Sequence, residues 1–273
     1  MSVAGGLRIT TRNARFQQWQ SLLDNRTKRT RSGEFLVQGV RPITMAVRHG
    51  WTVRALIHAA GRPLSDWATG LLESDLRAER VALAPDLLAE LAGKDEDVTE
   101  LLAVVAQPAD RLDRIKVGER FLGVVFDRPA SPGNVGTVIR SADAFGVAGV
   151  IVAGHAADPY DPRAVRASTG SLFALPVVRV PAPSMVLDWL ADQPVPIRVV
   201  GTDETGQFDV ADHDLTGPTL FVVGNETTGM SAAWREACDV VVRIPIGGAA
   251  SSLNAASAAS VVLYETARQR SRM

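Results

Sequence analysis

The sequence is poor in cysteine, in long apolar runs and in histidines that could share a metal. Its one cysteine, Cys238, excludes a disulfide within the chain and a zinc site built from cysteine pairs. No apolar run reaches the roughly 18 residues that indicate a membrane span, and the first residues lack the apolar core of a secretory signal. The four histidines show no metal-ligand spacing. We therefore expect a cytoplasmic protein with no membrane contact and no metal.

Two common nucleotide-binding motifs are also missing. No GxGxxG fingerprint follows a predicted strand, and no Walker A lysine motif occurs. The sequence therefore gives little support to a nucleotide-dependent α/β enzyme of a standard class.

Charge is present but unevenly distributed. Residues 1–50 hold nine lysines and arginines and two acidic residues, so they carry +7 while the remainder carries −8. The run NRTKRTRSG (25–33) is typical of a mobile cationic loop suited to phosphates. A solvated tail without a partner is the alternative. We set residues 1–33 apart as a basic N-terminal segment that binds a polyanion.

Alternating strand and helix patterns follow this segment. They predict a small α/β domain over residues 34–107 and, after a charged linker at 108–120, a second domain over 121–273. The second domain begins with FLGVVF (121–126), an apolar run typical of a strand buried on both faces of a parallel sheet. The alternation predicts an open parallel α/β sheet that binds ligands at the carboxyl ends of its strands.

Two polar segments follow predicted strands at this ligand-binding edge. In DRPASPGNVGTVIRSADAFG (127–146), Asn134 is predicted to cap a helix that carries Arg140. The alternative is a capping Asn and a surface Arg with no further role. In FVVGNETTGMS (221–231), Glu226 is the one acid of a glycine-containing turn that can approach a ligand. An ordinary connection between strand and helix is the alternative there.

A third segment, RIPIGGAASSLNAASAAS (243–260), is rich in small residues. Its strand is predicted to end at Ile246, and a helix is predicted to begin near Ser252–Asn254, with Ser252 as its N-cap. So many small side chains indicate close packing against another helix, the sheet or a ligand.

Together, the order, spacing and residue types of these segments resemble the SpoU/TrmH family of the SPOUT class. SPGNVGTVIRSADAFG is similar to the first family motif, VVGNETTGMS to the second and IPIGGAASSLNAASAAS to the third. The resemblance covers about residues 121–267, and FLVQGVRPITMAV resembles the start of the small substrate-binding domain of many members. Three departures occur: Thr227 replaces a common Gly, Gln38 a common Glu and Ala255 a common Val.

The resemblance implies a deep trefoil knot in the C-terminal domain, a rare exception to the rule against knotted chains. It also implies a homodimer in which the knotted loops bind S-adenosylmethionine. The expected fold is thus α/β, with a knotted open parallel sheet preceded by a small α/β RNA substrate-binding domain. The activity it implies is 2′-O-methylation of a ribose in structured RNA.

The resemblance also assigns site residues. The expected catalytic residues are Arg140, Asn134, Glu226, Ser252 and Asn254. The expected cofactor-binding residues are Val223, Gly224, Asn225, Gly229, Ile244, Ile246, Ser252 and Leu253. Arg140 is expected at the 2′-hydroxyl, either as general base or, since arginine normally stays protonated, as a cation that binds the adjacent phosphate.

Within this interpretation the basic segment docks the RNA through Arg26, Lys28, Arg29 and Arg31. Large-subunit (23S) ribosomal RNA is favoured because the N-terminal domain resembles that of ribosomal-RNA members, some of which confer resistance to ribosome-targeting antibiotics. A transfer-RNA 2′-O-methyltransferase and a non-catalytic RNA-binding module of the same fold are the alternatives.

Overall fold

The computed structural model describes residues 6–93 and 99–272. Residues 1–5 of the predicted basic segment, 94–98 of the predicted small domain and Met273 lie outside the described residues. The elements before the second sheet are β1 (Leu7–Ile9), α1 (Ala14–Asp24), α2 (Arg26–Ser32), β2 (Glu34–Gln38), α3 (Val40–Arg48), β3 (Val53–Ala59), α4 (Asp66–Glu73), β4 (Glu79–Leu83), α5 (Pro85–Ala92) and β5 (Leu101–Ala106).

The remaining elements follow a short 3₁₀ turn at Leu112–Arg114. They are β6 (Leu122–Asp127), α6 (Pro132–Ala144), β7 (Gly149–Ala153), α7 (Pro162–Ser168), a 3₁₀ turn (Ser171–Phe173), β8 (Val177–Val180), α8 (Pro183–Ala191), β9 (Arg198–Thr202), β10 (Phe208–Asp209), β11 (Thr219–Val223), α9 (Ala232–Ala237), β12 (Val240–Arg243) and α10 (Ala255–Arg270). Within the described part of the chain, no helix combines the length and the apolar character of a membrane span.

The chain divides into two compact units. The first contains the residues up to Pro108 together with Tyr160–Phe173, and the second contains Ala109–Pro159 and the chain from Ala174 onward. The described strands of the first unit form a sheet in the order β1-β4-β3-β5-β2, in which β5 runs antiparallel to both of its neighbours. One face of this sheet packs its apolar side chains against α1 and α5.

The segment Tyr160–Phe173 lies in the first unit, although the sequence pattern predicts it in the domain at 121–273. Aromatic packing explains this position. The ring of Phe35 on β2 lies 4.9 Å from that of Tyr160, and the ring of Trp51 lies 5.0 Å from that of Phe173. Trp51 also donates a hydrogen bond from Nε1 to the carbonyl oxygen of Phe173 at 3.1 Å.

The basic run at 25–33 forms a helix rather than the predicted mobile loop. The side chain of Asn25 accepts a hydrogen bond from the backbone N–H of Lys28 at 3.0 Å and caps α2 at its N-terminus. Gly33, with φ of 64°, ends the helix in the left-handed conformation that favours glycine. The two caps were missed because the dense positive charge of the run was taken to indicate a loop.

The described strands of the second unit form a sheet in the order β10-β12-β9-β11-β6-β7-β8, and every pair in it is parallel. All residues of β6, β7 and β11 are buried, as the apolar run at 121–126 predicts for a strand covered on both faces. Because β12, β9, β11 and β6 are neighbours, the segments that follow them meet at one edge of the sheet.

The stretch predicted as a linker, 108–120, packs mostly into the second unit. Ile115 is buried, and a carboxylate oxygen of Asp110 lies 2.8 Å from a guanidinium nitrogen of Arg179 on β8. A guanidinium nitrogen of Arg114 donates a hydrogen bond to the carbonyl oxygen of Val177 at 3.2 Å. The many charges of the stretch are therefore used for packing against the sheet.

The lone cysteine belongs to the core of the second unit. Cys238 lies so close to Gly201 on β9 that a Cβ on that glycine would approach its Sγ to 2.8 Å. Burial raises the pKa of the Cys238 thiol to about 11. The thiol therefore stays protonated near neutral pH, as suits a small core residue rather than a nucleophile.

Candidate active site

The turn after β11 is closed by its own hydrogen bonds. The backbones of Asn225 and Gly229 exchange two N–H···O bonds of 3.0 Å. The side-chain oxygen of Asn225 accepts from the backbone N–H of Thr227 at 2.8 Å and of Thr228 at 3.1 Å. A Cβ on Gly224 would clash with the backbone of Gly229 and the following residue, so only glycine fits there.

The loop after β6 is tied to this turn through Arg128. Its φ of 50° is unusual for a residue other than glycine. Its Nη2 donates to the carbonyl oxygen of Gly229 at 3.1 Å, and its own carbonyl accepts from Nδ2 of Asn225 at 2.6 Å. The buried carboxylate of Asp127 pairs with Arg128 and accepts from the backbone N–H of Ser231 at 2.7 Å. These contacts hold the first two predicted motifs together.

Glu226 lies at the centre of the junction. Its carboxylate accepts from the backbone N–H groups of Ala130 at 3.0 Å and Ser131 at 3.3 Å. It also accepts from Nδ2 of Asn134 at 2.8 Å. Partial burial alone would raise the pKa of Glu226, but the bonds from Ala130, Asn134 and Ser131 outweigh it, and the net pKa is lowered. Glu226 is therefore an anion at neutral pH.

The third motif joins through a pair of amides. Nδ2 of Asn254 lies 3.3 Å from Oδ1 of Asn134, so the amide of Asn134 is held on one side by Glu226 and on the other by Asn254. The structure thus brings together three of the predicted catalytic residues, one from each motif.

The predicted helix caps are wrong by a few residues. Asn134 lies within the first turn of α6, and Ser131 is the N-cap, whose Oγ accepts from the backbone N–H of Asn134 at 3.4 Å. Asn254 rather than Ser252 caps α10, where its side chain accepts from the backbone N–H of Ala256 at 2.9 Å. Each helix starts at the residue whose side chain binds the free backbone N–H groups of the first turn. Several polar residues in each loop are able to do this, so the sequence does not identify the cap.

The other two predicted catalytic residues lie apart from this cluster. Arg140 is exposed on α6, about 9 Å along the helix axis from Asn134, and makes no hydrogen bond or ion pair with the described residues. Ser252 is exposed in the loop between β12 and α10 and lines the cavity described next.

A cavity of about 620 Å³ opens at the carboxyl ends of β9, β11 and β12. All the predicted cofactor residues line it: Val223, Gly224, Asn225, Gly229, Ile244, Ile246, Ser252 and Leu253. Ile246 and Leu253 are 38% and 40% exposed, so the cavity has an apolar wall open to solvent. The strand that leads to this wall ends at Arg243 and not at Ile246 as predicted. Residues after it are thereby free to form the cavity loop.

The polar wall of the cavity was not predicted from the sequence. This wall includes Thr202, Asp203, Glu204 and Thr205 after β9, together with Arg235 on α9. These polar residues lie at the carboxyl end of β9, at the same edge of the sheet as the three motifs, and polar side chains at that edge are a signal for a ligand site. Among the described residues, no group of three or more His, Cys, Asp or Glu side chains is arranged to hold a metal ion.

The basic residues of α2 divide into two kinds. Arg26, Lys28 and Arg31 have exposed side chains. Arg29 is 1% exposed, donates from Nη1 to the carbonyl of Leu22 at 2.8 Å, and lies 3.7 Å from a carboxylate oxygen of Asp161. The prediction that Arg29 contacts RNA is therefore withdrawn, because its side chain is used to pack the first unit.

Comparison with known proteins identifies the family. A model described as the SpoU L30e-like domain matches residues 13–103, and one described as the SpoU rRNA Methylase family matches residues 122–264. The chain is 62% identical over 266 residues to the 23S rRNA (uridine(2479)-2′-O)-methyltransferase of Streptomyces viridochromogenes, which covers 96% of this chain and 92% of that relative.

Solved structures agree. The crystal structure of the SpoU methyltransferase AviRb from Streptomyces viridochromogenes in complex with AdoMet matches 95% of this chain and 98% of its own, with a TM-score of 0.92 and 62% identity. An AdoMet-bound rRNA methyltransferase from Sinorhizobium meliloti matches 96% of this chain and 97% of its own, with a TM-score of 0.85 and 26% identity. These matches confirm the predicted fold class, and the chain belongs to the SpoU rRNA methylase family.

Proposed function

We propose that this protein transfers a methyl group from S-adenosylmethionine to a ribose 2′-hydroxyl of 23S ribosomal RNA. The observation that carries the proposal is the junction of Glu226, Asn134 and Asn254, which unites all three motifs beside a cavity. The ribosomal target is supported by the relative named for a uridine in 23S rRNA. For that reason we prefer ribosomal RNA over transfer RNA as the substrate. Drug resistance as a consequence of the methylation stays a prediction.

The cavity suits the cofactor in size and in chemistry. Its volume lies within the range of small-molecule sites, about 300–1,000 Å³. Ile244, Ile246 and Leu253 offer an apolar wall for an adenine ring, and the carboxylates of Asp203 and Glu204 offer acceptors for hydroxyl and ammonium groups. When bound, S-adenosylmethionine supplies an electrophilic methyl group.

The chain's own residues orient the RNA hydroxyl. Glu226, which lines the cavity, is held as an anion and fixes the amide of Asn134, and Asn134 is in turn bonded to Asn254. Arg140 is available to bind a phosphate next to the target ribose. We favour this role over general base because arginine normally remains protonated. Positioning of this kind supplies much of the acceleration in a displacement reaction.

A homodimer is part of the proposal. On α10, Val261 and Tyr264 are 36% and 57% exposed, and the ring of Tyr264 lies 6.2 Å from that of Phe145 at the end of α6. Exposed apolar side chains on neighbouring helices favour contact with another protein surface. A second copy of the chain would cover this face.

RNA docking is assigned to the first unit. Arg26, Lys28 and Arg31 are exposed on α2 and can contact phosphates. We place the reaction in the cytoplasm, where ribosomal RNA is available and the single thiol stays reduced.

The test is transfer of radiolabel from S-adenosylmethionine to separate pools of large-subunit, small-subunit and transfer RNA, followed by mapping of the labelled ribose. We expect label in the large-subunit pool alone, at a 2′-oxygen. Label in transfer RNA would favour the alternative substrate. Cofactor binding without label in any pool, naked or as assembly intermediates, would favour a non-catalytic RNA-binding module.

A further inference from the structure

One cation lines the cavity among the described residues, and it is Arg235 on α9. The other charged side chains of the lining are the carboxylates of Asp203, Glu204 and Glu226. Among the charged side chains of the lining, Arg235 is therefore the one that would attract an anionic group on a ligand.

The guanidinium of Arg235 is fixed in place by the protein. Its Nη2 donates to Oδ2 of Asp203 at 2.7 Å, and its Nε donates to the carbonyl oxygen of Met230 at 3.4 Å. Its Nη1 has no hydrogen-bond partner among the described residues, and the side chain is 45% exposed. The Nε and Nη2 side of the guanidinium is thus bonded to the protein, while Nη1 can still donate to a ligand.

Asp203 is itself restrained, which makes the anchor firm. Its Oδ1 accepts from the backbone N–H of Thr205 at 3.1 Å and from Oγ1 of Thr205 at 2.7 Å. Burial alone would raise the pKa of Asp203, but the bonds from Thr205 and the charge of Arg235 outweigh it and the net pKa is lowered. The carboxylate stays charged and holds Arg235 in one orientation.

We propose that Arg235 binds the α-carboxylate of the amino-acid end of S-adenosylmethionine, and that Asp203 positions it to do so. The inference rests on the proposed function, because it presumes this cofactor. The cofactor has one carboxylate and the described cavity lining has one cation. Charge-assisted hydrogen bonds from an arginine fork are among the strongest that proteins make to carboxylates.

The test compares two ligands that differ in this carboxylate alone: S-adenosylmethionine and decarboxylated S-adenosylmethionine. Their dissociation constants are measured by calorimetry on the full chain without RNA. Wild-type protein is expected to prefer S-adenosylmethionine. In Arg235→Ala, the ratio of the two dissociation constants should fall by about tenfold to a hundredfold. Arg235→Lys should keep part of the preference, because it keeps the charge and loses the fork.

Arg198→Ala is the matched control, since Arg198 is exposed at the opposite end of β9. It should leave both constants unchanged. Equal weakening of the two ligands in Arg235→Ala would overturn the inference, because it would show that Arg235 only maintains the shape of the turn. An unchanged ratio would overturn it as well.

Failure of the proposed function gives a different pattern. Wild-type protein that binds neither ligand and labels no RNA would remove both proposals. Wild-type protein that binds S-adenosylmethionine and methylates RNA, with an unchanged ratio in Arg235→Ala, would remove only the role of Arg235.

Discussion

Arg140 is an exposed cation on α6 with no partner among the described residues. If it binds a phosphate beside the target ribose, Arg140→Ala should lower kcat/KM for RNA by about a hundredfold or more, and Arg140→Lys should recover part of the loss. The dissociation constant for S-adenosylmethionine should not change, because Arg140 does not line the cavity. Methylation assays and calorimetry measure the two quantities. Near-normal turnover in the alanine variant would contradict the assignment.

Glu226 contributes through its charge and its three hydrogen bonds. Its folded-state pKa is lowered, so its contribution to stability is present above the unfolded pKa of about 4.3 and is lost as pH falls through the lower folded value. Glu226→Gln should therefore be less stable than wild type at pH 7, and the difference should vanish in strong acid. Urea unfolding at several pH values measures this. Glu236→Gln, an exposed acid on α9, is the control and should match wild type throughout.

Helix α2 combines two roles: Arg26, Lys28 and Arg31 are proposed to bind RNA, and Arg29 packs the first unit. Replacing Arg26, Lys28 and Arg31 by Gln should weaken RNA binding and reduce the slope of log K against log salt by about 0.7–0.9 for each phosphate that the variant no longer neutralises. Arg29→Gln should instead lower the free energy of unfolding by about 1–3 kcal/mol, because it removes the hydrogen bonds that Arg29 donates to the carbonyl oxygens of Leu22 and Leu23. Filter binding at several salt concentrations and chemical unfolding separate the two effects. An unchanged salt slope in the triple variant would exclude α2 from the RNA interface.

The strands could be predicted more securely than the helix ends. Apolar runs such as that of β6 report burial on both faces, and the structure confirms them. The start of α10 could not be fixed, because Ser252 and Asn254 are both good caps. In the structure Asn254 caps the helix and also contacts Asn134. The polar residues after β9 were missed although they lie at the end of a strand, because their place in the cavity depends on the pairing of β9 with β11 and β12.

At the scale of the whole molecule, sequence order does not equal spatial order. Tyr160–Phe173 follows β7 of the second unit but belongs to the first, because its aromatic rings pack on Phe35 and Trp51. A boundary drawn from composition cannot detect such an exchange, since rings buried in either unit look alike in a sequence. The family motifs could be assigned to the second domain because their polar residue types and spacing identify them, in addition to their hydrophobic pattern.

The proposed dimer requires that the exposed face formed by α6 and α10 be the contact between the two copies. Tyr264→Glu would put a charge where a second copy is expected, so sedimentation equilibrium at micromolar concentration should show a dimer for wild type and a monomer for the variant. Met185→Glu, on the exposed side of α8, is the matched control and should remain dimeric. If Arg140 acts within the dimer, the monomeric variant should also lose methylation while its fold, followed by circular dichroism, is retained. A wild-type monomer that methylates RNA would refute the dimer and leave the junction of Glu226, Asn134 and Asn254 as a site complete in one chain.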